Sequence, residues 1–263
     1  MKLLRSVCAF SLLLSLTACG GGESDSRFDC TTTIFAASSL SSALTEMTAE
    51  LRDVAQCEIA FKFGSSGTLA AMISSGAQPD LFLTSGTNAV QAADLDPSSA
   101  RAIVESHLAI VTAKGTDAAT KISSVKDLLE TKWKLGLCAS SAPCGDLADL
   151  VLMNAIDVYG EEFDFSREAL ADTEAANSSD LLTKLQMGEL DVVLGYASSC
   201  AAKDKLVCMP IPDSEEGRHL GEKSTYYVTA LGRTESTKKL AEYMYSFTFS
   251  GRLVADFGFE TLS

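Results

Sequence analysis

Residues 32–40 read TTIFAASSL and residues 58–69 read EIAFKFGSSGTL, and these two stretches decide the architecture. In each, an apolar run typical of a β-strand is followed at once by serines and then by helical spacing. A strand that turns directly into a helix presents free backbone N–H groups beyond its carboxyl end. A third serine turn, NSSDL at residues 177–181, also opens a predicted helix. None of these turns contains lysine or arginine, so they predict an anion site built from neutral donors.

The first residues carry the features of an export signal. Two basic residues precede an apolar run at residues 7–16, and LTACG at residues 16–20 is similar to the lipobox of bacterial lipoproteins. We therefore predict a lipoprotein signal peptide over residues 1–18, lipidation of Cys19, and a polar tether over residues 19–29. An ordinary secretory signal is the alternative, whereas the apolar run is too short for a transmembrane helix. The protein is expected to be extracytoplasmic and lipid-anchored to the bacterial cell membrane.

The chain is strongly acidic. It has 263 residues and a formal net charge of −14 at pH 7, and cleavage of the signal would remove two of its basic residues. This balance argues against nucleic acid as a partner, because a phosphate backbone requires a basic surface. The length beyond the tether suffices for two modest lobes or one large domain. We expect a monomer.

Six cysteines remain beyond the signal and the lipid site, an even number that favours disulfides in an exported chain. Six cysteines allow 15 pairings, and nearness along the chain suggests one of them. Cys30 and Cys57 each precede a predicted strand, and neighbouring parallel strands would bring them together. Zinc is the competing interpretation, but the spacings are irregular and no histidine accompanies them. The suggested pairs are Cys30–Cys57, Cys138–Cys144 and Cys200–Cys208.

Apolar strand-like runs alternate with amphipathic helical runs along most of the chain. The order strand–helix–strand–helix–strand over residues 31–84 implies parallel strands covered by helices, and hence an α/β fold. We predict two lobes, each a mostly parallel sheet flanked by helices, joined by a two-strand hinge with a cleft between them. One continuous doubly wound sheet is the alternative. The predicted lobes comprise residues 30–107 with 229–263, and residues 108–228.

Several motifs resemble those of the molybdate-binding proteins of bacterial ABC importers. They are FAASSL at residues 35–40, FGSSGTLA at residues 63–70 and PDLF at residues 79–82, with a later similar segment over residues 188–197. The resemblance runs from about residue 32 to the C-terminus. It implies the type II periplasmic-binding-protein fold and a molybdate or tungstate ligand held between the lobes. It also implies no cofactor, no enzymatic activity, and an ABC permease as the membrane partner.

The resemblance further implies which groups hold the oxyanion, since the family uses hydroxyls and backbone amides. Hydroxyls are expected from the first two serine turns and from a tyrosine, and amides from the residue after a proline and from the third serine turn. Residues 138–144, CASSAPC, depart from Gram-negative relatives, which often carry charged residues there. Asp146 and Asp180 should point away from the anion. The implied ligand-binding residues are Ser39, Ser66, Cys144, Ser178 and Tyr196.

A fully ionised tetrahedral oxyanion offers only hydrogen-bond acceptors, so a cavity of N–H and O–H donors would satisfy it without a buried counter-charge. The same cavity would leave the O–H of hydrogen phosphate without an acceptor. A receptor of the same fold for sulfate or another small anion is the alternative. A serine or cysteine hydrolase is disfavoured, because the sequence has no Gly-x-Ser-x-Gly elbow and neither His107 nor His219 lies near a motif serine.

Overall fold

The computed structural model describes residues 28–130, 132–201 and 204–263. The predicted signal peptide, Cys19 and nearly all of the tether lie outside these residues. Within the described ranges, no helix combines the length and the apolar character that crossing a bilayer requires.

Eleven strands form in the described residues, and nine of them join in one hydrogen-bonded sheet. The strands are β1 (Thr31–Ala37), β2 (Glu58–Gly64), β3 (Leu81–Ser85), β4 (Arg101–Ala113), β5 (Leu135–Cys138), β6 (Ala171–Ala175), β7 (Val192–Tyr196), β8 (Leu206–Pro210), β9 (Ser214–Glu215), β10 (Arg218–His219) and β11 (Lys223–Ala230). The sheet order is β2-β1-β3-β11-β4-β7-β5-β6, with β8 also paired to β4. Strands β9 and β10 form a separate two-stranded hairpin.

Helices come after most strands, as the predicted alternation requires. They are α1 (Ser41–Glu46), α2 (Thr48–Ala55), α3 (Ser66–Ser74), α4 (Asn88–Ala92), α5 (Asp117–Lys121), α6 (Pro143–Tyr159), α7 (Arg167–Leu170), α8 (Ser178–Gln186), α9 (Glu235–Met244) and α10 (Phe247–Phe257). A short 3₁₀ turn at Ser38–Leu40 joins β1 to α1, and another at Ala197–Ser199 lies directly after β7.

The first half of the sheet confirms the predicted parallel strands. Strand β1 pairs in parallel with both β2 and β3. Every residue of β3 is buried, as expected for a strand covered on both faces. One face packs Ile34 and Leu83 against α1, α2 and the C-terminal helices. The other face packs Phe35 and Phe82 against α3 and α4.

The second half of the sheet repeats this layered arrangement. Strand β5 pairs in parallel with β6 and β7. Helix α6 covers one face, where Val151 and Ala155 pack with Val192 and Leu194. Helix α8 covers the opposite face, where Leu181 packs with neighbours that include Val193. The alternation of partners along β7 reflects the two-residue period of a strand.

Two strands connect the halves. Residues 101–107 of β4 pair with β11, whereas residues 108–113 pair with β7 and β8. Strand β11 lies antiparallel between β3 and β4. The predicted crossing between residues 107 and 108 falls where β4 changes partners. The predicted return between residues 228 and 229 falls inside β11, which pairs with β3 or β4 from Lys223 to Ala230.

The spacing of apolar residues predicts one helix over residues 39–54, and the structure breaks it. It is replaced by the 3₁₀ turn Ser38–Leu40, then α1, then α2 after Met47. The Thr48 hydroxyl donates to the carbonyls of Leu44, at 3.2 Å, and Thr45, at 2.6 Å. Such back-bonding by threonine competes with the helical ladder and bends it. The break cannot be predicted from the spacing of apolar residues, because Leu44 and Leu51 face the core on either side of it.

All six described cysteines are in disulfides. They join Cys30 to Cys57, Cys138 to Cys144 and Cys200 to Cys208. The first ties the starts of β1 and β2, which run in parallel from Thr31 and Glu58. No cluster of three or more His, Cys, Asp or Glu suited to a metal occurs within the described ranges.

His107 stands where β4 passes from one half to the other, between two carboxylates. Its Nδ1 lies 2.6 Å from Glu260 Oε1, and its Nε2 lies 2.8 Å from Asp213 Oδ1. Burial lowers the pKa of His107, but the hydrogen bonds and charges of Glu260 and Asp213 outweigh it and raise the pKa above 6.5. The two carboxylates therefore favour the imidazolium form of this ring in the folded protein.

We expect His107 to make stability depend on pH. Because its pKa is raised in the folded state, the stabilisation is fully present below about pH 6.5 and is lost as pH rises through the folded value. The difference in free energy of unfolding between wild type and His107→Gln, measured by urea titration, should shrink as pH rises above about 6.5 and through the raised folded-state pKa. Glu260→Gln should weaken this dependence, and a difference that does not vary with pH would contradict the assignment.

Candidate functional site

The carboxyl ends of the parallel strands from both halves face one small cavity. All five sequence-predicted ligand residues line it, although they lie far apart along the chain. The cavity is lined by Ala37, Ser38, Ser39, Gly64, Ser65, Ser66, Ser85, Ala142, Pro143, Cys144, Asn177, Ser178 and Tyr196. Its volume is about 10 Å³, close to the space that one water molecule needs.

Three helices begin at this cavity. Ser66 is the first residue of α3, after the cap Ser65, whose hydroxyl accepts from the Thr68 amide at 3.1 Å. Ser178 is the first residue of α8, after the cap Asn177. Cys144 is the second residue of α6, after Pro143. Amides in a first turn have no helical carbonyl to bond, so their N–H groups are available to a ligand.

The start of α6 is packed tightly onto the end of β5. The Cys138–Cys144 disulfide spans this turn. A Cβ built on Gly145 would lie 2.0 Å from the Ala139 carbonyl oxygen, so only glycine allows this approach. The disulfide and this close approach thus hold Cys144 at the cavity wall.

Serine side chains join the two halves across the cavity. The hydroxyls of Ser38 and Ser178 lie 3.1 Å apart, and both residues are buried. The Ser179 hydroxyl donates to the Ser38 carbonyl at 3.0 Å. These contacts hold the first serine turn against the start of α8, so the structure has the two halves drawn together.

A second set of hydrogen bonds joins hydroxyls at the cavity wall to one another and to side chains behind the wall. The Ser85 amide donates to the Ser66 hydroxyl at 3.1 Å. The Ser85 hydroxyl lies 3.0 Å from the Tyr196 hydroxyl and 2.6 Å from that of Ser224. The Tyr226 hydroxyl donates to the Ser39 hydroxyl at 3.0 Å. Most hydroxyls that line the cavity therefore have a partner that orients them.

The two tyrosines stay protonated. Burial raises the pKa of Tyr196 to about 12, although hydrogen bonds with Ser85, Tyr226 and Ser224 act in the opposite direction. Burial likewise raises the pKa of Tyr226 well above its ordinary value of 10. Each phenol therefore keeps its O–H as a hydrogen-bond donor throughout the neutral range.

Charged side chains are kept away from the cavity. Among the described residues, those lining it include no lysine, arginine, aspartate or glutamate. Asp180 accepts from the Asn177 side chain at 2.8 Å and does not line the cavity. Asp146 lines an adjoining open cleft of about 480 Å³, where burial and the nearby Asp149 raise its pKa. The cavity therefore offers neutral donors and helix dipoles only.

Part of this site was not predicted from the sequence. The sequence pattern predicts Ser38 to be a local cap or a donor behind the ligand contacts, but the residue is 7% exposed, lines the cavity and bonds Ser178. Ser85 ends β3 much as the first serine turn ends β1, and this position could have identified it. Ser224 and Tyr226 lie on β11, whose place beside β3 depends on a pairing of residues distant in sequence.

Comparison with known proteins agrees with this architecture. Molybdate-binding protein ModA of Mycobacterium tuberculosis strain H37Rv is 26% identical over an alignment 262 residues long. The alignment covers 93% of this chain and 92% of ModA. The periplasmic molybdate-binding protein of Azotobacter vinelandii superposes with a TM-score of 0.72 at 14% identity, covering 88% of this chain and 100% of that one. The sulfate-binding protein SubI of M. tuberculosis superposes with a TM-score of 0.66 at 13% identity, covering 89% and 88%.

The two structural likenesses show the fold, and they confirm the predicted type II periplasmic-binding-protein fold. A family model described as bacterial extracellular solute-binding protein matches residues 32–260. That match covers most of the chain, from the second residue of β1 to Glu260. The chain belongs to the family of bacterial extracellular solute-binding proteins.

Proposed function

We propose that this protein captures molybdate or tungstate outside the cytoplasm and delivers the oxyanion to an ABC permease. One observation carries the proposal. Ser39, Ser66, Cys144, Ser178 and Tyr196 come from five separate segments yet line one cavity, and among the described residues no charged side chain joins them there. ModA of M. tuberculosis, named for molybdate binding, is similar over nearly its whole length.

A neutral donor cavity suits a bare dianion. Hydroxyls of Ser39, Ser66 and Tyr196 would donate to its oxygens together with the amides of Cys144 and Ser178. Each hydrogen bond to an ionised group contributes about 1.5–3 kcal/mol. The cavity in this structure holds about one water molecule, so we expect the halves to separate slightly when the larger oxyanion enters.

The two halves could separate by bending of the strands that connect them. We assign residues 30–107 and 229–263 to one lobe and residues 108–228 to the other, with β4 and β11 as the hinge. Closure would exclude water from the anion and complete the ring of donors contributed by both lobes. The serine contacts between Ser38, Ser178 and Ser179 would then act as latches of the closed form.

Selection among anions would depend on protonation. Molybdate, tungstate and sulfate are fully ionised at neutral pH and need only donors, whereas hydrogen phosphate carries an O–H that needs an acceptor. The preference for molybdate over sulfate rests on the ModA likeness. A sulfate receptor is the second candidate, because the same donor set would accept sulfate and SubI shares the fold.

The family consists of solute-binding proteins, and we propose that this chain has no catalytic activity of its own. Its two histidines are placed away from the cavity. His107 bonds Glu260 and Asp213, and His219 bonds Glu222 at 2.9 Å. Neither ring is positioned to activate a serine hydroxyl at the site, as covalent catalysis would require.

The protein would act as a monomer.

Calorimetry on the purified protein tests the proposed ligand. Wild type should bind molybdate more tightly than sulfate, and hydrogen phosphate least. Ser39→Ala and Ser66→Ala should each weaken molybdate binding by at least about tenfold, since each removes a donor to an ionised group. Ser74→Ala, in the last turn of the same helix as Ser66, should leave binding unchanged. Tighter binding of sulfate would favour the second candidate, and no binding of any oxyanion would contradict the proposal.

We further propose that Cys19 is acylated and anchors the mature protein to the membrane, because residues 16–20 match a lipobox. Mass spectrometry of the protein purified from membranes should find a diacylglycerol-modified Cys19 as its first residue. Cys19→Ser should release the protein from the membrane fraction. An unmodified N-terminus at another residue would instead indicate an ordinary secretory signal.

A further inference from the structure

Tyr226 is a buried tyrosine that does not line the oxyanion cavity but bonds a residue that does. It is 0% exposed and sits in β11. Its ring packs edge-to-face on Tyr196, with centroids 5.9 Å apart, and on Phe259, with centroids 5.2 Å apart. Its hydroxyl donates to Ser39 Oγ at 3.0 Å. The ring contacts on both sides leave the phenol little freedom to turn away from Ser39.

The direction of this hydrogen bond constrains the serine. A serine hydroxyl has one proton to donate and two lone pairs that accept. The Tyr226 proton occupies one lone pair of Ser39, and the single proton of Ser39 cannot point at the same O–H, so it is left to donate into the cavity. Because burial keeps the pKa of Tyr226 well above 10, the phenol does not lose this proton near neutral pH.

Ser66 is constrained in the same way by a group that can only donate. Its Oγ accepts from the backbone N–H of Ser85 at 3.1 Å. The hydroxyls of Ser39 and Ser66 therefore each accept a hydrogen bond from a group outside the first two serine turns. One of these donors is a backbone amide, which a substitution leaves in place, whereas the other is a side chain that can be changed.

We propose that Tyr226 is a specificity-determining residue, which fixes the Ser39 hydroxyl as a donor toward the bound oxyanion and so helps the site to reject protonated oxyanions. This inference rests on the proposed oxyanion-binding function. Without the Tyr226 hydroxyl, the Ser39 hydroxyl is free to rotate and to accept a hydrogen bond from the anion. A protonated anion such as hydrogen phosphate then gains the acceptor that the wild-type cavity denies it.

The test compares three anions by calorimetry at neutral pH, in wild type and in Tyr226→Phe. The substitution keeps the ring and removes only the hydroxyl. Affinity for molybdate and for sulfate should fall about fivefold, the usual worth of one oriented hydrogen bond. Affinity for hydrogen phosphate should fall less or rise, so the ratio of molybdate to phosphate affinity should drop. Tyr243→Phe, which removes a hydroxyl bonded to Glu50 away from the cavity, is the matched control and should leave this ratio unchanged.

A double-mutant cycle separates positioning from a general structural effect. In the Ser39→Ala background, Tyr226→Phe should have little further effect on molybdate affinity, because the group it orients is absent. Equal losses in both backgrounds, or equal losses for all three anions, would overturn the inference. A wild type that binds none of these anions would instead overturn the proposed function.

Ser39→Ala alone keeps the inference testable if Tyr226→Phe does not fold, as judged by circular dichroism. If Ser39 is held as a donor, its removal should weaken molybdate binding by a larger factor than hydrogen phosphate binding. If Ser39 is free to accept as well as donate, both anions should lose affinity by the same factor, and the proposed role of Tyr226 would be wrong.

Discussion

A dianion can be buried without a cation only where several hydrogen-bond donors are already fixed around it, because an unpaired buried charge is very costly. The fold meets this condition with the starts of helices. α3, α6 and α8 begin at the same cavity, so their first-turn amides converge from different directions. Hydroxyls of neighbouring serines and of Tyr196 fill the positions between these amides. The strong negative charge of the chain makes this local shielding necessary.

The convergence depends on where the strands end. Parallel strands β1, β2 and β3 present their carboxyl ends on one side of the cavity, and β5 and β7 present theirs on the other. β4 and β11 link the halves, and this places Ser224 and Tyr226 behind the cavity, bonded to Ser85 and Ser39 that line it. With another strand order, the same serines would end up far apart and would not line one cavity.

The sequence predicts the part of the site that is local. The succession of strand, serine turn and helix identifies the turns themselves, and the resemblance selects the ligand-binding residues Ser39, Ser66, Cys144, Ser178 and Tyr196. The structure brings all five to one cavity. Ser85 and Tyr226 were not predicted, because their roles arise from pairing between β3 and β11, far apart in the chain. The break after Met47 was also missed, since it comes from Thr48 hydrogen bonds that hydrophobic periodicity does not report.

A crystal grown with molybdate, with anomalous scattering measured at the molybdenum absorption edge, tests the neutral-donor site most directly. We predict one anomalous peak between Ser39, Ser66 and Tyr196, with the amides of Cys144 and Ser178 directed at the oxygens of the anion. A peak outside this cavity, or a lysine or arginine side chain in contact with the anion, would contradict it.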